Sequence, residues 1–317
     1  MLPRHGRRSA GRLDCAADPF TAVVRGALRI MTIAEALQRA AALRAVCGSD
    51  PGLWNLVQAE HEWALYGDAC DPLSPAAPER ALKALQRDIY LELWAGALGT
   101  LGPGARVMVA GGGTGRFAQP LSERGFRVEL VDASPEAVRR ARQHLGEHVA
   151  VRIGDLTQAD TLAGAAYDAV LAAEVPCYAT DPSLVMQRLR AALRPNGVLL
   201  FSVEARPGAL LADSDLRSPE SFGAVLDAGV VTLPGLKHVH YFTRDEAGRL
   251  AEQAGFSVNA VEGVCYVPDG PFATLIDATR LGDAAHRDQL RDVERRCRRD
   301  PLLRELARAW AVAATAA

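Results

Sequence analysis

The sequence lacks any long apolar run and carries almost no excess of charge of either sign. No apolar stretch reaches the ~18 residues that a membrane helix needs. The formal net charge is -2 over 317 residues, which provides no field that would hold a polyanion. Neither a bilayer nor a nucleic acid is therefore indicated as a partner. With 49% hydrophobic residues, the chain can bury the core of a globular protein.

Patterns typical of metal sites and disulfide frameworks are also missing. The six cysteines are widely scattered, without a CxxC pair or a cluster at metal-ligand spacing. Scattered thiols fit a reducing compartment, so we expect a cytoplasmic protein with no metal. Residues 1–30 are Arg-rich and lack an uninterrupted apolar core, so a secretory signal is a poor fit. A helical pattern begins at Met31, and we expect residues 1–30 to be either a disordered extension or the product of an over-extended start site.

A glycine-rich loop is the most informative feature that is present. Glycine fills four of the five positions from 111 to 115, between a Val-rich apolar run and an amphipathic helical pattern, which predicts a strand, a tight turn and a helix. A dinucleotide fingerprint would need its third glycine at Arg116, and a P-loop would need Gly-Lys-Ser/Thr; both are absent. A second apolar run ends in Asp132, 17 residues beyond Gly115. A carboxylate at that strand tip usually holds ribose hydroxyls.

Strand and helix patterns alternate from 105 to 204, which predicts a parallel sheet with helices on both faces. Three helical patterns precede this region, and the pattern becomes helical again after 265, through Trp310. The Pro- and Gly-rich connector between the fifth strand and a late helix is long enough to indicate an active-site lid or substrate element. The predicted segments are an extension at 1–30, a helical cap at 31–100, a core at 101–264 with a lid insertion at 205–240, and a C-terminal helical segment at 265–317.

The GxGxG loop and the motifs after it resemble those of the class I S-adenosylmethionine-dependent methyltransferases. That family has an acidic residue after its second strand, matched by Asp132, and an Asp facing the adenine after its third, matched by Asp155. An aromatic-Asp pair, a Pro-Asn-Gly turn and a late Gly-Phe pair follow in the family's order, so matches cover roughly residues 105–262. One position departs from the pattern. The acidic residue two positions before the loop, which usually contacts the methionine amino group, is Val109 here.

The resemblance implies an α/β fold with a Rossmann-like, seven-stranded sheet that has helices on both faces. It implies S-adenosylmethionine as the methyl donor and S-adenosylhomocysteine as the product. We predict methyl transfer to oxygen or nitrogen of a small, partly apolar acceptor, and the Ala- and Arg-rich style suits secondary metabolism. The residues implied to bind the cofactor are Gly111, Gly112, Gly113, Gly115, Asp132, Ala133, Asp155, Leu156 and Ala173.

Candidate catalytic residues lie within the predicted lid. His238 and His240 alternate with Val239, so both side chains point to the same face of an extended segment. A histidine at the mouth of the site could take a proton from a hydroxyl, although a hydrogen-bonded structural pair explains the pattern as well. Candidate acceptor contacts come from the loop after the fourth strand and from the cap: Glu174, Tyr178, His61 and Tyr66.

Three other functions stay open on the sequence alone. Val109 in place of the usual acid suggests a binding module or partner subunit that holds S-adenosylmethionine without methylating. Eight arginines between 287 and 308 suggest an RNA methyltransferase, although five interleaved acids favour a solvated helix. The third alternative function is that of a nicotinamide oxidoreductase. We expect a small-molecule acceptor as partner, neither nucleic acid nor membrane, and leave a homodimer open.

Overall fold

The computed structural model describes residues 51–232 and 238–317. The predicted extension at 1–30 and the first helical pattern of the cap, near 33–47, lie outside the described residues. The α-helices are α1 (Pro51–Tyr66), α2 (Arg80–Leu93), α3 (Ala95–Gly99), α4 (Ala118–Glu123), α5 (Pro135–Leu145), α6 (Pro182–Ala192), α7 (Arg206–Ala212), α8 (Pro219–Ala228), α9 (Arg244–Gln253) and α10 (Ala284–Arg299). The strands are β1 (Arg106–Ala110), β2 (Arg127–Asp132), β3 (Ala150–Ile153), β4 (Tyr167–Ala172), β5 (Leu193–Ala205), β6 (Val230–Thr232), β7 (His238–Phe242), β8 (Phe256–Val264) and β9 (Ala309–Ala316).

Local start signals fix where two core helices begin. Ser134 Oγ accepts a hydrogen bond from the backbone N–H of Ala137 at 3.0 Å, and an Asp181 carboxylate oxygen accepts one from Leu184 at 3.1 Å. A proline follows each cap, at the position where its missing N–H and fixed φ cost nothing. The predicted helix start at Asp181 and the matching signal at Ser134 are thereby confirmed.

The described strands form one nine-stranded sheet around a doubly wound centre. β3, β2, β1, β4 and β5 lie side by side in that order, all parallel. β9 runs antiparallel to β5, and β8 runs antiparallel to β9. These seven strands account for the predicted sheet. The other two form the β6–β7 hairpin, which joins the sheet where β7 pairs with the end of β5.

The prediction of a helical pattern through Trp310 is wrong at its end. α10 stops at Arg299, and β9 fills the gap between β5 and β8. Its Ala-rich sequence has good intrinsic helix propensity, but two strand edges offer backbone partners on both sides, and tertiary context overrides propensity. The Trp310 indole N–H donates to the carbonyl of Phe242 at 2.9 Å, which fixes the strand in register.

The connector predicted as a lid at 205–240 contains regular structure. It includes α7, α8, β6 and the first residues of β7. Ser218 caps the start of α8, and Gly229 ends it in the left-handed region with φ 66°. The described part of the segment, residues 205–232 and 238–240, therefore consists of helices and paired strands, and its action as a lid stays a prediction.

Apolar side chains cover both faces of the sheet. On β1, Met108 belongs to the cluster on one face, whereas Val107 and Val109 belong to the cluster on the other. This alternation is what a strand buried on both sides requires. Because β1, β2 and β4 run parallel, their carboxyl ends meet at one edge of the sheet. Open α/β proteins bind ligands at this edge.

Candidate active site

Three cavities adjoin at the carboxyl ends of β1, β2 and β4, and Gly111 lines all of them. The β2-side cavity, of about 240 Å³, is lined by residues that include Asp132, Ala133, Asp155 and Leu156. The α2-side cavity, of about 440 Å³, is lined by residues that include Lys83, Gln86, Arg116 and Glu174. The central cavity, of about 420 Å³, is lined by residues that include Asn55, Gln58, Glu62 and Tyr178. The central cavity shares lining residues with each of the other two, so the three form one cleft.

The glycine loop and the end of β2 are joined by hydrogen bonds to one carboxylate. Gly113 N–H donates to Asp132 Oδ2 at 2.7 Å, and Ser134 N–H donates to Oδ1 at 2.9 Å. Each oxygen keeps a second lone pair for a ligand. Burial raises the pKa of Asp132, and the two N–H donors offset this only in part.

Glycine is required at Gly111 for two separate reasons. Its φ is 59°, and a Cβ added there would lie 2.5 Å from Val175 Cγ2 in the loop after β4. At Gly113, with φ 55°, an added Cβ would meet no described atom within 4 Å. The loop is thus tightly packed at Gly111 and open at Gly113, which leaves room for a ligand against its backbone.

Eight of the nine residues predicted to bind the cofactor line the cleft. The exception is Gly115, where a Cβ would lie 2.7 Å from Leu145 Cδ1, so this glycine serves the packing of the loop against α5. Asp155 is exposed and also accepts hydrogen bonds from the N–H and hydroxyl of Thr157, at 2.8 and 2.7 Å. Direct binding of a cofactor by these residues stays a prediction.

Glu174 lies directly after β4, at the junction of the central and α2-side cavities. Its φ is 57°, an unusual conformation for a residue with a side chain. Its Oε1 accepts hydrogen bonds from Tyr90 Oη at 2.9 Å and from Gln86 Nε2 at 3.2 Å. The same glutamine accepts a hydrogen bond from Arg116 Nη1 at 2.5 Å. Glu174, predicted as an acceptor contact, is thus part of a polar chain running beside the glycine loop.

Sequence reasoning missed Gln86 and Arg116. Gln86 is only 3% exposed and interrupts the apolar face of α2 formed by Leu82, Leu85 and Ile89. A glutamine within an otherwise apolar helix face was the available signal, because a buried amide needs hydrogen-bond partners.

Tyr178 lines the β2-side and central cavities, but its hydroxyl is used elsewhere. It donates to Glu204 Oε1 at 2.6 Å, and Glu204 is buried and paired with Arg308. Burial raises the pKa of Tyr178 well above its usual value. Tyr178 can therefore form part of the wall of the site, but not donate or accept a proton in it.

The two predicted acceptor contacts on α1 lie outside the cavity linings, and their role stays a prediction. His61 is exposed, and neither His61 nor Tyr66 is among the described residues that line the cleft. The lining residues of this helix instead include Asn55, Gln58 and Glu62, three or four positions apart and so on one helical face. The sequence showed that the helix is amphipathic, but the polar residues facing the cleft depend on how the helix is docked.

Asn55 fixes α1 over the cleft. Its Nδ2 donates to the carbonyls of Tyr178, at 2.7 Å, and His238, at 3.0 Å. Its Oδ1 accepts from the N–H of His238 at 2.9 Å. One side chain thus joins α1 to the loop after β4 and to β7.

His238 and His240 lie on the same face of β7, as the alternation predicts. Their Nε2 atoms are 3.0 Å apart, and His238 Nδ1 is 2.7 Å from Thr232 Oγ1. Burial, and then the neighbouring His238, lower the pKa of His240 to about 4. Neither histidine is among the described residues that line the three cavities. A catalytic role for the pair stays a prediction, and the contacts show two side chains hydrogen-bonded to each other.

Residues 51–232 and 238–317 contain no group of three or more His, Cys, Asp or Glu side chains that could hold a metal ion. Within the same ranges, no helix combines the length and apolarity needed to cross a membrane.

Comparisons with known proteins give the family. Residues 79–261 match a family model described as "Methyltransferase domain". The malonyl-[acyl-carrier protein] O-methyltransferase of Serratia marcescens is 36% identical over 125 residues, which cover 39% of this chain and 48% of that protein. The ubiquinone biosynthesis O-methyltransferase of Bordetella avium is 28% identical over 206 residues, covering 62% of this chain and 79% of that protein. The chain thus spans about half the length of the first relative.

A solved structure supports the fold. The magnesium protoporphyrin IX methyltransferase of Synechocystis PCC 6803, solved with bound SAH, superimposes with a TM-score of 0.51 at 17% identity, covering 84% of this chain and 98% of that one. The family match covers more than half of the chain and includes the glycine loop and the strands that form the cleft. The chain therefore belongs to the class I S-adenosylmethionine-dependent methyltransferases.

Proposed function

We propose that this protein transfers a methyl group from S-adenosylmethionine to a hydroxyl oxygen of a small, partly apolar molecule. The observation that carries the proposal is the central cavity, which opens onto both flanks of the glycine loop. Its lining combines apolar side chains, such as Leu56 and Val175, with the polar side chains of Gln58 and Glu62. At about 420 Å³, it has the size of a small-molecule site.

The residues of the β2-side cavity fit the nucleoside of the cofactor. Asp132 offers carboxylate lone pairs to ribose hydroxyls, while Ala133 and Leu156 offer apolar contact to a base. Asp155, at the rim, can accept a hydrogen bond from an exocyclic amine. When bound, the cofactor supplies an electrophilic methyl group on a sulfonium, so the protein's task is to align the acceptor and exclude water.

The side chains of Gln58 and Glu62 in the central cavity present mainly hydrogen-bond-accepting oxygens to a bound substrate. Gln58 Oε1 is buried and has no hydrogen-bond partner among the described residues. The other end of this amide donates to Glu62 Oε1 at 3.1 Å. An unpaired buried carbonyl oxygen is costly, and a ligand O–H would satisfy it. These groups therefore favour a substrate that presents O–H or N–H donors.

Glu62 is the group that we propose takes the proton. With the methyl donor bound, the Glu62 carboxylate would accept the proton that the hydroxyl loses when its oxygen is methylated. The carboxylate would thereby become neutral, which balances the loss of the positive charge of the donor. His238 and His240 are the alternative proton acceptors, and they would need to reach the cavity from behind the loop after β4.

Oxygen as the accepting atom is supported by the two relatives, both of which are named O-methyltransferases. Apolar side chains beside Gln58 and Glu62 suit a ring-bearing hydroxyl compound of the kind found in secondary metabolism. A small molecule is favoured over a nucleic acid because the net charge of -2 provides no attraction for a polyanion.

The test has two steps. Calorimetry with S-adenosylmethionine and S-adenosylhomocysteine should give binding, while NADH should not raise the melting temperature. Formation of S-adenosylhomocysteine should then be measured with panels of phenols, catechols, hydroxy acids, amines and RNA. We expect turnover with hydroxyl compounds. Turnover confined to amines or RNA would overturn the proposal, and binding without turnover on any panel would favour the non-catalytic module.

A further inference from the structure

We propose that Glu174 and Arg116, held apart by Gln86, form a cradle for the amino-acid end of the methyl donor, with Glu174 replacing the acid that the first strand lacks. The inference rests on the proposed function, because it assigns further residues to the same cofactor. It also explains how the chain tolerates Val109, which is 1% exposed and packed in an apolar cluster, where it cannot meet an ammonium group.

The first support is the charge pattern of the α2-side cavity. Glu174 makes its hydrogen bonds with neutral groups, the Tyr90 hydroxyl and the Gln86 amide, both through Oε1. Arg116 is hydrogen-bonded to the Gln86 carbonyl oxygen and packs over the Phe117 ring. Neither charge pairs with an opposite charge among residues 51–232 and 238–317. Glu174 and Arg116, linked through Gln86, are therefore a carboxylate and a guanidinium that a ligand with both charges would neutralise.

The second support is that Lys83, the other cation among the described lining residues of this cavity, is already paired. Lys83 Nζ lies 2.7 Å from Asp269 Oδ2 and 3.8 Å from Glu79 Oε2. Two lining carboxylates, Glu62 and Glu174, make no ion pair among the described residues. Of these two, Glu174 is the one linked to Arg116 through Gln86, so we select it. Glu79, which is paired, is a matched control in the same cavity.

The third support is the way in which Glu174 is held. Its backbone has φ 57°, and its N–H donates to Ser202 Oγ at 2.9 Å. A non-glycine residue in this region is strained, and such strain persists where the surroundings impose it. Here the fold imposes it at the junction of two cavities, beside Gly111. The conformation is thereby tied to the placement of a carboxylate next to the glycine loop.

An α-amino acid group carries an ammonium and a carboxylate on one carbon. We assign the ammonium to Glu174 and the carboxylate to Arg116, whose planar guanidinium suits carboxylate binding. Gln86, 3% exposed, binds both side chains and so fixes their separation. Charge-assisted hydrogen bonds of this kind are worth roughly a factor of ten to a hundred in affinity each.

The experiment compares three ligands by calorimetry: S-adenosylhomocysteine, its decarboxylated analogue and 5′-methylthioadenosine, which lacks the amino-acid carbons. Wild-type protein should bind S-adenosylhomocysteine more tightly than 5′-methylthioadenosine by about 100-fold or more. Glu174→Gln should weaken binding of S-adenosylhomocysteine and the decarboxylated analogue at least tenfold, but leave 5′-methylthioadenosine within about twofold. Arg116→Gln should weaken S-adenosylhomocysteine alone. Glu79→Gln should change all three by less than about threefold.

The outcomes separate the cradle from the function. Failure of wild-type protein to bind any of the three nucleosides would overturn the proposed function. Equal affinity of wild type for S-adenosylhomocysteine and 5′-methylthioadenosine would overturn the cradle alone. So would a Glu174→Gln variant that keeps the wild-type circular dichroism spectrum and either binds all three ligands as wild type does or weakens all three equally, because its effect would then not depend on the amino-acid carbons. Glu174→Asp, which keeps the charge, should recover part of the lost affinity.

Discussion

The two sides of the cleft are built in different ways. On the β2 side, the groups that face the ligand come from the ends of neighbouring parallel strands, and the loops that carry them follow each strand directly. On the cap side, they come from α1, which is docked through Asn55 onto residues 123 and 183 positions away in sequence. The cofactor side is thus determined by local chain geometry, and the acceptor side by long-range packing.

The largest expected effect tests the β2 side. Asp132→Asn would place an amide N–H against one of two backbone donors, Gly113 N–H or Ser134 N–H, and would remove the charge from the ribose site. We expect the Kd for S-adenosylhomocysteine to rise about 100-fold, or roughly 3 kcal/mol. Calorimetry measures the change, and circular dichroism checks that the fold is intact.

Asp155→Asn is the matched control for this variant. Asp155 is exposed and already bonded to Thr157, so its replacement should weaken binding less than about fivefold. Equal losses in the two variants would contradict the assignment of Asp132 as the principal polar contact of the nucleoside.

The next effect tests the cap side. Glu62→Gln should lower kcat about 100-fold on a hydroxyl acceptor, the usual scale for a proton-transfer group, while the Kd for S-adenosylhomocysteine stays within about twofold. His61→Gln, one residue away on the exposed face, should leave both unchanged.

The double variant His238→Gln and His240→Gln decides between the two candidate bases. If it abolishes turnover on the true acceptor while Glu62→Gln does not, the histidine prediction is right and the Glu62 proposal is wrong. If turnover survives in the double variant, the histidines serve the structure of the hairpin.

The β2 side of the cleft could be predicted from the sequence better than the cap side. The glycine loop, the strand-end Asp132 and the helix caps at Ser134 and Asp181 were all predictable, because each depends on backbone conformation within a few residues. The placement of Glu62 rather than His61 in the cleft was not. The two residues are neighbours on one helix, about 100° apart around its axis, and the docking of that helix decides which one faces inward.

Two further features were out of reach for related reasons. Asn55 gave no local signal, because its three bonds are made to segments far away in sequence. β9 gave a misleading one, because an Ala-rich run predicts a helix until two open strand edges are known to lie beside it.

Removing Asn55 should loosen the cap side without disturbing the β2 side. Asn55→Ala would remove three hydrogen bonds between α1 and the backbone of Tyr178 and His238, so we expect a loss of about 2 kcal/mol in the free energy of unfolding. Amide exchange should accelerate across β7 and the loop after β4, and the KM for the acceptor should rise. Asn259→Ala removes only an exposed bond to Thr315 and should cost less than about 0.5 kcal/mol. Unchanged exchange in β7 would show that α1 is held by other contacts.

The smallest effect concerns pH and belongs to the cap side as well. Burial and the neighbouring His238 lower the pKa of His240 to about 4, whereas an unfolded histidine titrates near 6.5. Between these two values the unfolded chain binds a proton that folded His240 does not, so stability is full above about 6.5 and falls as the pH drops toward 4. The side chain is partly solvated, which reduces the effect. We therefore expect this histidine to lower the free energy of unfolding by only about 1 kcal/mol, or the Tm by about 3 °C, between pH 7 and pH 5. The raised pKa of Glu294, about 7, acts in the opposite direction over the same range, so the measurement is the difference between wild type and His240→Gln. The Tm of wild type should fall about 3 °C further than that of His240→Gln, and Asn259→Ala should follow wild type. Parallel profiles of wild type and His240→Gln would show that the pair is solvated, and then the cap side would be more open than its hydrogen bonds indicate.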